Sequence, residues 1–206
     1  MTTEVVANLR SDARDNRARI LAVARAAFAA EGLDVPIREI ARRAEVGAAT
    51  VYRHFQTKEA LLAEAFAEQM VSCSEILAEG LAADDPWRGF GLVLEKTMAI
   101  HALDRGFARA FTSRFPEAIA FAEDRDRLLR LLLELVRRAK EAGSLRKDFV
   151  LEDISLALMA NEGIRAESPE MRVAASRRFA ALMLQSFQAK PVPAPLPPAV
   201  RLPLSR

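Results

Sequence analysis

Apolar residues recur at helical spacing through most of this 206-residue chain, and glycine or proline interrupts the pattern at only a few places. Only 8 residues are glycine, while Ala, Leu, Arg and Glu dominate, which favours helix over sheet. No segment shows the alternation of apolar and polar residues that is typical of a half-buried strand. The sequence therefore predicts an all-α fold.

Start and stop signals place the helices along the chain. Gly32 ends the first helix, and Pro86 begins the fifth. Thr57 and Ser168 are predicted to cap the fourth helix and the last one. The predicted helices cover 12–31, 37–44, 48–55, 58–79, 86–102, 106–114, 116–143, 151–166 and 169–188. A tight turn at 45–47 joins the second helix to the third, which is the arrangement of a helix-turn-helix reader.

The composition excludes several classes of protein. A net charge of +2 gives no argument from overall basicity, so nucleic-acid binding has to be argued from where individual charges lie. Cys73 is the single cysteine, which excludes an intrachain disulfide and a cysteine-based metal site. The charged N-terminal segment and the lack of a long apolar run predict neither a signal peptide nor a membrane span. We expect a cytoplasmic protein with no membrane contact, no cofactor and no bound metal.

Patterns of catalytic residues are also missing. The 2 histidines, His54 and His101, lie in different predicted domains. The sequence has no paired-carboxylate motif, no Glu-x-x-His motif and no glycine-rich phosphate loop. We therefore expect that the protein is not an enzyme. A helical protein-interaction module that does not bind DNA is the other alternative to a DNA-binding protein.

The third predicted helix concentrates polar groups on one face. At about 100° per residue, Val51 and Phe55 face inward, while Ala49 and Arg53 point the opposite way. Small side chains allow close approach to a major groove, and an arginine can reach a guanine edge or a phosphate. The residues on the outward face and its two edges are Ala48, Ala49, Thr50, Tyr52, Arg53 and His54.

Lys58 lies in the first turn of the fourth predicted helix, where the helix dipole disfavours a cation. An external anion shared by Lys58 and the free N–H groups of that turn would offset the cost. Lys58, Tyr52 and His54 are therefore candidate contacts to DNA phosphates. The alternative is that Glu59 balances the lysine and that the two aromatic rings pack against the fourth helix.

The segment EGLDVPIREIARRAEVGAATVYRHFQTKEALLAEAF, residues 31–66, closely resembles the DNA-binding segment of TetR-family transcriptional regulators. The resemblance implies an all-helical homodimer whose N-terminal domain binds operator DNA and whose C-terminal domain binds a small molecule that releases the DNA. It implies phosphate contacts from Tyr52, His54 and Lys58, and places Ala48, Ala49, Thr50 and Arg53 where base-facing and groove-edge residues lie.

Two positions depart from the family pattern. Pro36 replaces a capping Ser or Thr before the second helix, so Asp34 is the predicted cap instead. Ala49 replaces a residue that is frequently small or polar, which leaves fewer direct base contacts.

The resemblance also divides the chain. We expect a helix-turn-helix domain over 12–58, a helical effector-binding and dimerisation domain over 59–190, and a Pro-rich disordered tail over 191–206. The expected function is that of a repressor, bound to double-stranded palindromic operator DNA and released by an unknown, apolar effector. The candidate pocket residues, for each of which core packing is the competing interpretation, are Phe66, Met70, Phe90, Glu95, Met98, Phe107, Phe111, Met159 and Asn161.

The last predicted helix has two apolar faces, although docking on its own domain needs only one. The spare face and the preceding helix are predicted to pair with a second copy as a four-helix bundle. The candidate interface residues are Leu151, Ile154, Leu158, Phe179, Leu182 and Met183. The alternative is that the spare face closes the ligand cavity.

Overall fold

The computed structural model describes residues 2–112, 119–191 and 194–202, and their side chains over 14–111, 123–191 and 194–202. Ten helices and no strand occur within these ranges, so the all-α prediction is confirmed. The helices are α1 (Thr2–Glu31), α2 (Ile37–Arg43), α3 (Ala48–His54), α4 (Lys58–Ala65), α5 (Ala67–Ala82), α6 (Pro86–Leu103), α7 (Arg105–Thr112), α8 (Ile119–Glu141), α9 (Leu151–Glu162) and α10 (Pro169–Phe187). The predicted end of the seventh helix at 114 and the junction at Pro116 fall outside the described residues.

The N-terminal helices pack around a small apolar core. Ile20, Ala24 and Phe28 of α1 are buried against α2, α3 and α4. The helix α1 begins at Thr2, about ten residues earlier than the sequence predicts. Residues 2–11 lack an apolar stripe that would indicate a helix, yet no glycine or proline interrupts them.

The predicted helix over 58–79 is wrong in one respect, because the chain breaks at Phe66 between α4 and α5. Phe66 has φ −115° and ψ 12°, and its ring lies 6.2 Å from that of Phe28 and 5.9 Å from that of Phe107. The break therefore accompanies the burial of one aromatic ring between α1 and α7. Neither glycine nor proline marks this position, so the sequence gives no local stop signal.

The helix α6 is the centre of the C-terminal part and packs against α5, α8, α9 and α10. The docked face of α10 includes Ala180 and Phe187, which are buried, while Leu182 is exposed on its other face. The predicted cap of α10 is confirmed, because Ser168 Oγ accepts a bond from the Met171 amide at 3.2 Å. At the start of α6, Asp85 Oδ1 accepts a bond from the Trp87 amide at 3.0 Å.

Arginine side chains of α7 and α10 donate to the ends of neighbouring helices. Arg109 donates to the Ala29 carbonyl at 3.4 Å and to the Glu162 carboxylate at 2.9 Å. Arg172 donates to the Ala102 carbonyl at 3.1 Å. Since carbonyls in a last helical turn lack intrahelical partners, these bonds satisfy the ends of α1 and α6. The Arg109 bond to Ala29 connects the N-terminal helix α1 to α7.

The Pro-rich segment follows α10 without regular secondary structure. Gln185 donates to the Ala194 carbonyl at 3.0 Å, and Arg178 donates to the Pro197 carbonyl. Val200 and Leu202 border a groove with Phe179 of α10. The described part of this segment therefore runs beside α10, and Pro195 and Pro197 also border a groove with Trp87 and Glu95 of α6.

Candidate nucleic-acid interface and effector cavity

The turn between α2 and α3 fixes how α3 is presented. Glu45 adopts φ +53°, and the Val46 amide donates to the Ala41 carbonyl at 3.0 Å. Gly47 is the N-cap of α3 with φ −69°, so the left-handed residue of the turn is Glu45 rather than the glycine. A left-handed position is costly for a residue other than glycine, and the burial of Val51 and Phe55 in the core stabilises the turn.

The orientation of α3 agrees with the predicted wheel. Val51 and Phe55 are buried, whereas Ala49 and Arg53 are exposed. Tyr52 is 51% exposed and therefore does not pack as a core residue against α4. Ala48 and Thr50 are half-buried at the N-terminal end of the same surface.

His54 lies at the edge of this surface, half-buried beside the Phe55 ring at a centroid distance of 6.2 Å. Its Nε2 atom has no hydrogen-bond partner among the described residues. Burial, followed by the charges of Arg53 and Arg17, lowers the pKa of the imidazole. A neutral imidazole retains one N–H, and because Nε2 is buried, this nitrogen could donate to a phosphate oxygen only after the side chain turns outward.

Lys58 is the first residue of α4, which Thr57 caps by accepting a bond from the Ala60 amide at 3.1 Å. Within the part of the chain that the structure describes, Lys58 forms no ion pair with Glu59 or any other carboxylate. The same holds for Arg53. Both cations are therefore available to an external anion beside the N-terminus of α4.

The other basic residues of α2 divide into two groups. Arg42 and Arg43 bind Glu39 within α2, and Arg43 also binds Glu31, so Arg43 joins α2 to the end of α1. Hydrogen bonds from Arg42 and then Arg43 lower the pKa of the Glu39 carboxyl to about 2. Arg38 is exposed and has no ion-pair partner in the described ranges. Sequence reasoning missed Arg38 as a candidate contact, because only the ion pairs of its neighbours distinguish it.

The prediction that Asp34 caps α2 is wrong. The N-cap of α2 is Pro36, and no side chain forms a cap hydrogen bond there. Asp34 precedes the cap by two residues and is exposed, so its carboxylate lies outside the usual capping position.

A small apolar cavity of about 70 Å³ lies between α5, α6, α8 and α9. Two predicted pocket residues, Phe90 and Phe111, line it. The predicted interface residues Leu151, Ile154 and Leu158 also line it, so this face of α9 points into the domain. Its other lining residues include Cys73, Leu77, Val93, Leu94, Thr97, Leu128 and Ser155.

The other predicted pocket residues lie elsewhere. Phe66, Met98 and Phe107 are fully buried in the core, and Met70 borders a separate groove between α5 and α8. Glu95 and Met159 are exposed, so the structure does not bring them to the cavity. Asn161 is buried beside α6 and donates from Nδ2 to the Met98 carbonyl at 2.8 Å.

Of the remaining interface candidates on α10, only Leu182 is exposed, because Phe179 and Met183 pack against the core. Leu182 is 40% exposed, while Phe179 and Met183 are half-buried. On α9 the exposed apolar residues are Leu156 at 66% and Met159 at 60%. The outward apolar residues of α9 therefore differ from the predicted interface residues Leu151, Ile154 and Leu158, which line the cavity.

His101 is buried on α6, against the rings of Phe107 and Phe111 at 5.4 and 5.5 Å. Burial lowers the pKa of its imidazole to about 4. Because the unfolded chain protonates this histidine near its ordinary pKa of about 6.5, the folded state binds fewer protons between these two values. The contribution of neutral His101 to the free energy of unfolding is therefore fully present above about pH 6.5. It is lost as the pH falls toward 4.

We expect the free energy of unfolding to decrease by about 2–3 kcal/mol between pH 7 and pH 4.5 through His101 alone. Urea unfolding at a series of pH values measures this slope. His101→Phe removes this titrating group and should reduce the slope, while His54, whose pKa is also lowered, contributes equally in both proteins. An equal acid slope in the wild type and in His101→Phe would show that other groups are responsible.

Comparison with known proteins assigns these features to a family. The model of the bacterial regulatory proteins, tetR family, matches residues 20–65, from α1 to α4. A TetR transcription regulatory protein from Mycobacterium vanbaalenii is 32% identical, over 87% of this chain and 99% of that one, with a TM-score of 0.47. The chain belongs to the TetR family.

Other TetR-family structures support the fold. A bacterial regulatory protein of the tetR family from Rhodococcus RHA1 is 25% identical, over 84% of this chain and 96% of that one, with a TM-score of 0.55. The ketosteroid transcriptional regulator KstR2 of Mycobacterium tuberculosis has a TM-score of 0.64 at 15% identity, over 84% of this chain and 95% of that one. A search of curated proteins gave no match. This TetR-family chain is a transcription regulator with a DNA-binding helix-turn-helix. In the described residues no helix is long and apolar enough to cross a membrane.

Proposed function

We propose that this TetR-family regulator is a repressor that binds a palindromic operator as a homodimer and leaves it when a small apolar molecule binds. The observation that carries the proposal is the outward surface of α3 and the start of α4. There Tyr52 and Arg53 are exposed, and neither Arg53 nor Lys58 has an ion-pair partner among the described residues. A helix with buried residues behind it and free cations in front fits a major groove.

The proposed contacts divide into two kinds. Tyr52, His54 and Lys58 hold phosphate oxygens at the edges of the groove, and these contacts fix the position of the protein without reading the sequence. Arg53 reaches a base edge, and the small side chains of Ala48 and Ala49 permit the close approach that this requires. Thr50 completes the groove-edge set, and Arg38 on α2 adds a contact to the backbone.

We assign DNA binding and effector binding to two consecutive segments of the chain. Residues 12–58 bind DNA, and residues 59–190 bind the effector and the second copy. The apolar lining of the cavity between α5 and α9 supports an apolar effector. Its present volume of about 70 Å³ is far below the several hundred Å³ of a usual ligand site, so binding requires the helices around it to separate. Movement of α7, which Arg109 bonds to the end of α1, would transmit that separation.

Lys58→Ala should weaken operator binding about tenfold on every sequence tested, because it removes a phosphate contact that carries no sequence information. The dependence of the logarithm of affinity on the logarithm of salt should flatten by about one for each subunit. Arg53→Ala should instead change which base pairs are preferred. Fluorescence anisotropy with operator variants across a salt series measures both effects.

Lys96→Ala is the matched control, because Lys96 lies on α6 and is bound to Glu79 at 2.6 Å. It removes the same charge away from α3 and should leave DNA affinity unchanged. If the unmutated, ligand-free protein binds no palindrome upstream of its own gene or the neighbouring ones, the proposed function is wrong.

A further inference from the structure

Two buried polar side chains lie at the ends of the helices that form the effector cavity. His101 of α6 and Asn161 of α9 are 0% and 1% exposed. Both ring nitrogens of His101 and the Oδ1 atom of Asn161 have no hydrogen-bond partner in the described part of the protein. Asn161 is oriented by its Nδ2 atom, which donates to the Met98 carbonyl in the turn of α6 that leads to His101.

These three atoms are unusual for a protein core. Buried polar atoms are nearly always paired, and an unpaired one costs free energy that an apolar residue would avoid. A neutral imidazole offers one donor and one acceptor, and Asn161 Oδ1 adds a second acceptor. A hydroxyl group, which both donates and accepts one hydrogen bond, complements this set better than an ether or a carbonyl, which only accept.

The cavity leads to this pair along two helices. Phe90, Leu94 and Thr97 of α6 line the cavity, and His101 follows one turn further on the same face. On α9, the lining residues Leu151, Ile154 and Leu158 follow the same spacing, and Asn161 lies one turn beyond them. Each stripe is about ten residues long, which corresponds to roughly 15 Å of helix.

Phe111 lies between the cavity and His101. Its ring lines the cavity and also contacts the His101 ring at a centroid distance of 5.5 Å. Phe111 is half-buried near the end of α7, so a change of its rotamer would open the cavity toward His101.

The lack of charged side chains in the cavity further restricts the chemical class of the ligand. No charged side chain lines it among the described residues, and its polar groups are the hydroxyls of Thr97 and Ser155 and the thiol of Cys73. Burial raises the pKa of that thiol to about 12, so it is protonated at neutral pH. An ionised ligand would be buried without a partner, which is strongly unfavourable.

We propose that His101 and Asn161 form the polar end of the effector site, and that the effector is an elongated, uncharged apolar molecule with one terminal hydroxyl. The apolar part lies along α6 and α9, and the hydroxyl passes Phe111 to bind His101 and Asn161. This inference rests on the proposed function and specifies the chemical class of its effector.

Matched compounds test the hydroxyl. Decanol and dodecanol, their methyl ethers and the carboxylates of equal length are titrated into the full-length protein, and binding is measured by thermal shift. The alcohols should bind about tenfold more tightly than the ethers, and the carboxylates more weakly still. In His101→Phe, which keeps a ring of similar size, the ratio of alcohol to ether affinity should fall to about one.

Nuclear magnetic resonance provides a second measurement that needs no variant. The chain has 2 histidines, so a spectrum of the imidazole nitrogens contains signals from His54 and His101 alone. Decanol should shift the His101 signals and leave those of His54, on α3, unchanged. This result and the His101→Phe ratio together support the site.

Three results would overturn the proposal: equal affinity for alcohol and ether, tighter binding of the carboxylate, or no His101 shift from any member of the series. None of these results bears on the proposed repressor function. DNA binding by the wild type, Lys58→Ala and the Lys96→Ala control is measured without ligand. Loss of operator binding by the ligand-free protein would instead contradict the proposed function and leave the alcohol measurements valid.

Discussion

Replacing both Leu156 and Met159 with glutamate is expected to produce a monomer. Its operator affinity should be lower than that of the wild type by about 100-fold or more. Both side chains point away from the domain core, with exposures of 66% and 60%, so the charges should not unfold the monomer. In the proposed four-helix bundle of α9 and α10 with their copies, the same charges would be buried without partners. A monomer has one reader, which covers only half of a palindromic site.

Sedimentation measures the oligomeric state, and anisotropy with operator DNA measures affinity. Leu133→Glu is the matched control, because Leu133 is 49% exposed on α8, away from this face. The control should leave both the oligomeric state and the affinity unchanged. A dimeric Leu156→Glu/Met159→Glu protein, or a wild type that is monomeric at micromolar concentration, would place the interface elsewhere or remove it.

The helix-turn-helix could be predicted closely because its signals are local. The burial of Val51 and Phe55 and the exposure of Ala49 and Arg53 follow from spacing within one short helix. The cap at Thr57 follows from residue type alone. No tertiary contact was needed to orient these residues relative to one another.

The cavity could not be predicted in the same way, because its lining depends on which of several apolar stripes faces inward. On α9, Leu158 and Met159 are adjacent apolar residues, yet the first lines the cavity and the second is exposed. Packing against α6 determines this register, and no residue within α9 signals it. The break at Phe66 depends on packing too, since the ring is buried between helices distant in sequence.

The close crossing of α5 and α6 is a further feature that only the structure reveals. A Cβ atom added at Gly89 would lie 2.2 Å from the Gly80 carbonyl oxygen and 3.1 Å from its carbonyl carbon. A Cβ added at Gly80 would lie 2.4 Å from Cγ2 of Val93. The two helices therefore approach so closely that neither position has room for a side chain.

Gly89→Ala should destabilise the protein by about 2–3 kcal/mol, since the methyl group meets backbone that can yield only if a helix moves. That cost exceeds the roughly 0.5–1 kcal/mol that alanine gains over glycine inside a helix. For a chain of this length the melting temperature should fall by about 5–10 °C, measured at one fixed protein concentration.

Gly91→Ala on the same helix separates crowding from helix propensity. A Cβ at Gly91 would lie 3.5 Å from the nearest carbon of Leu184, an ordinary contact, so only the gain in helix propensity remains. This variant should melt about 2 °C higher than the wild type. If both variants shift the melting temperature in the same direction, the α5–α6 crossing is less tight than its geometry indicates. Opposite shifts, with the larger loss at Gly89, would show that the crossing itself limits which residues this helix can carry.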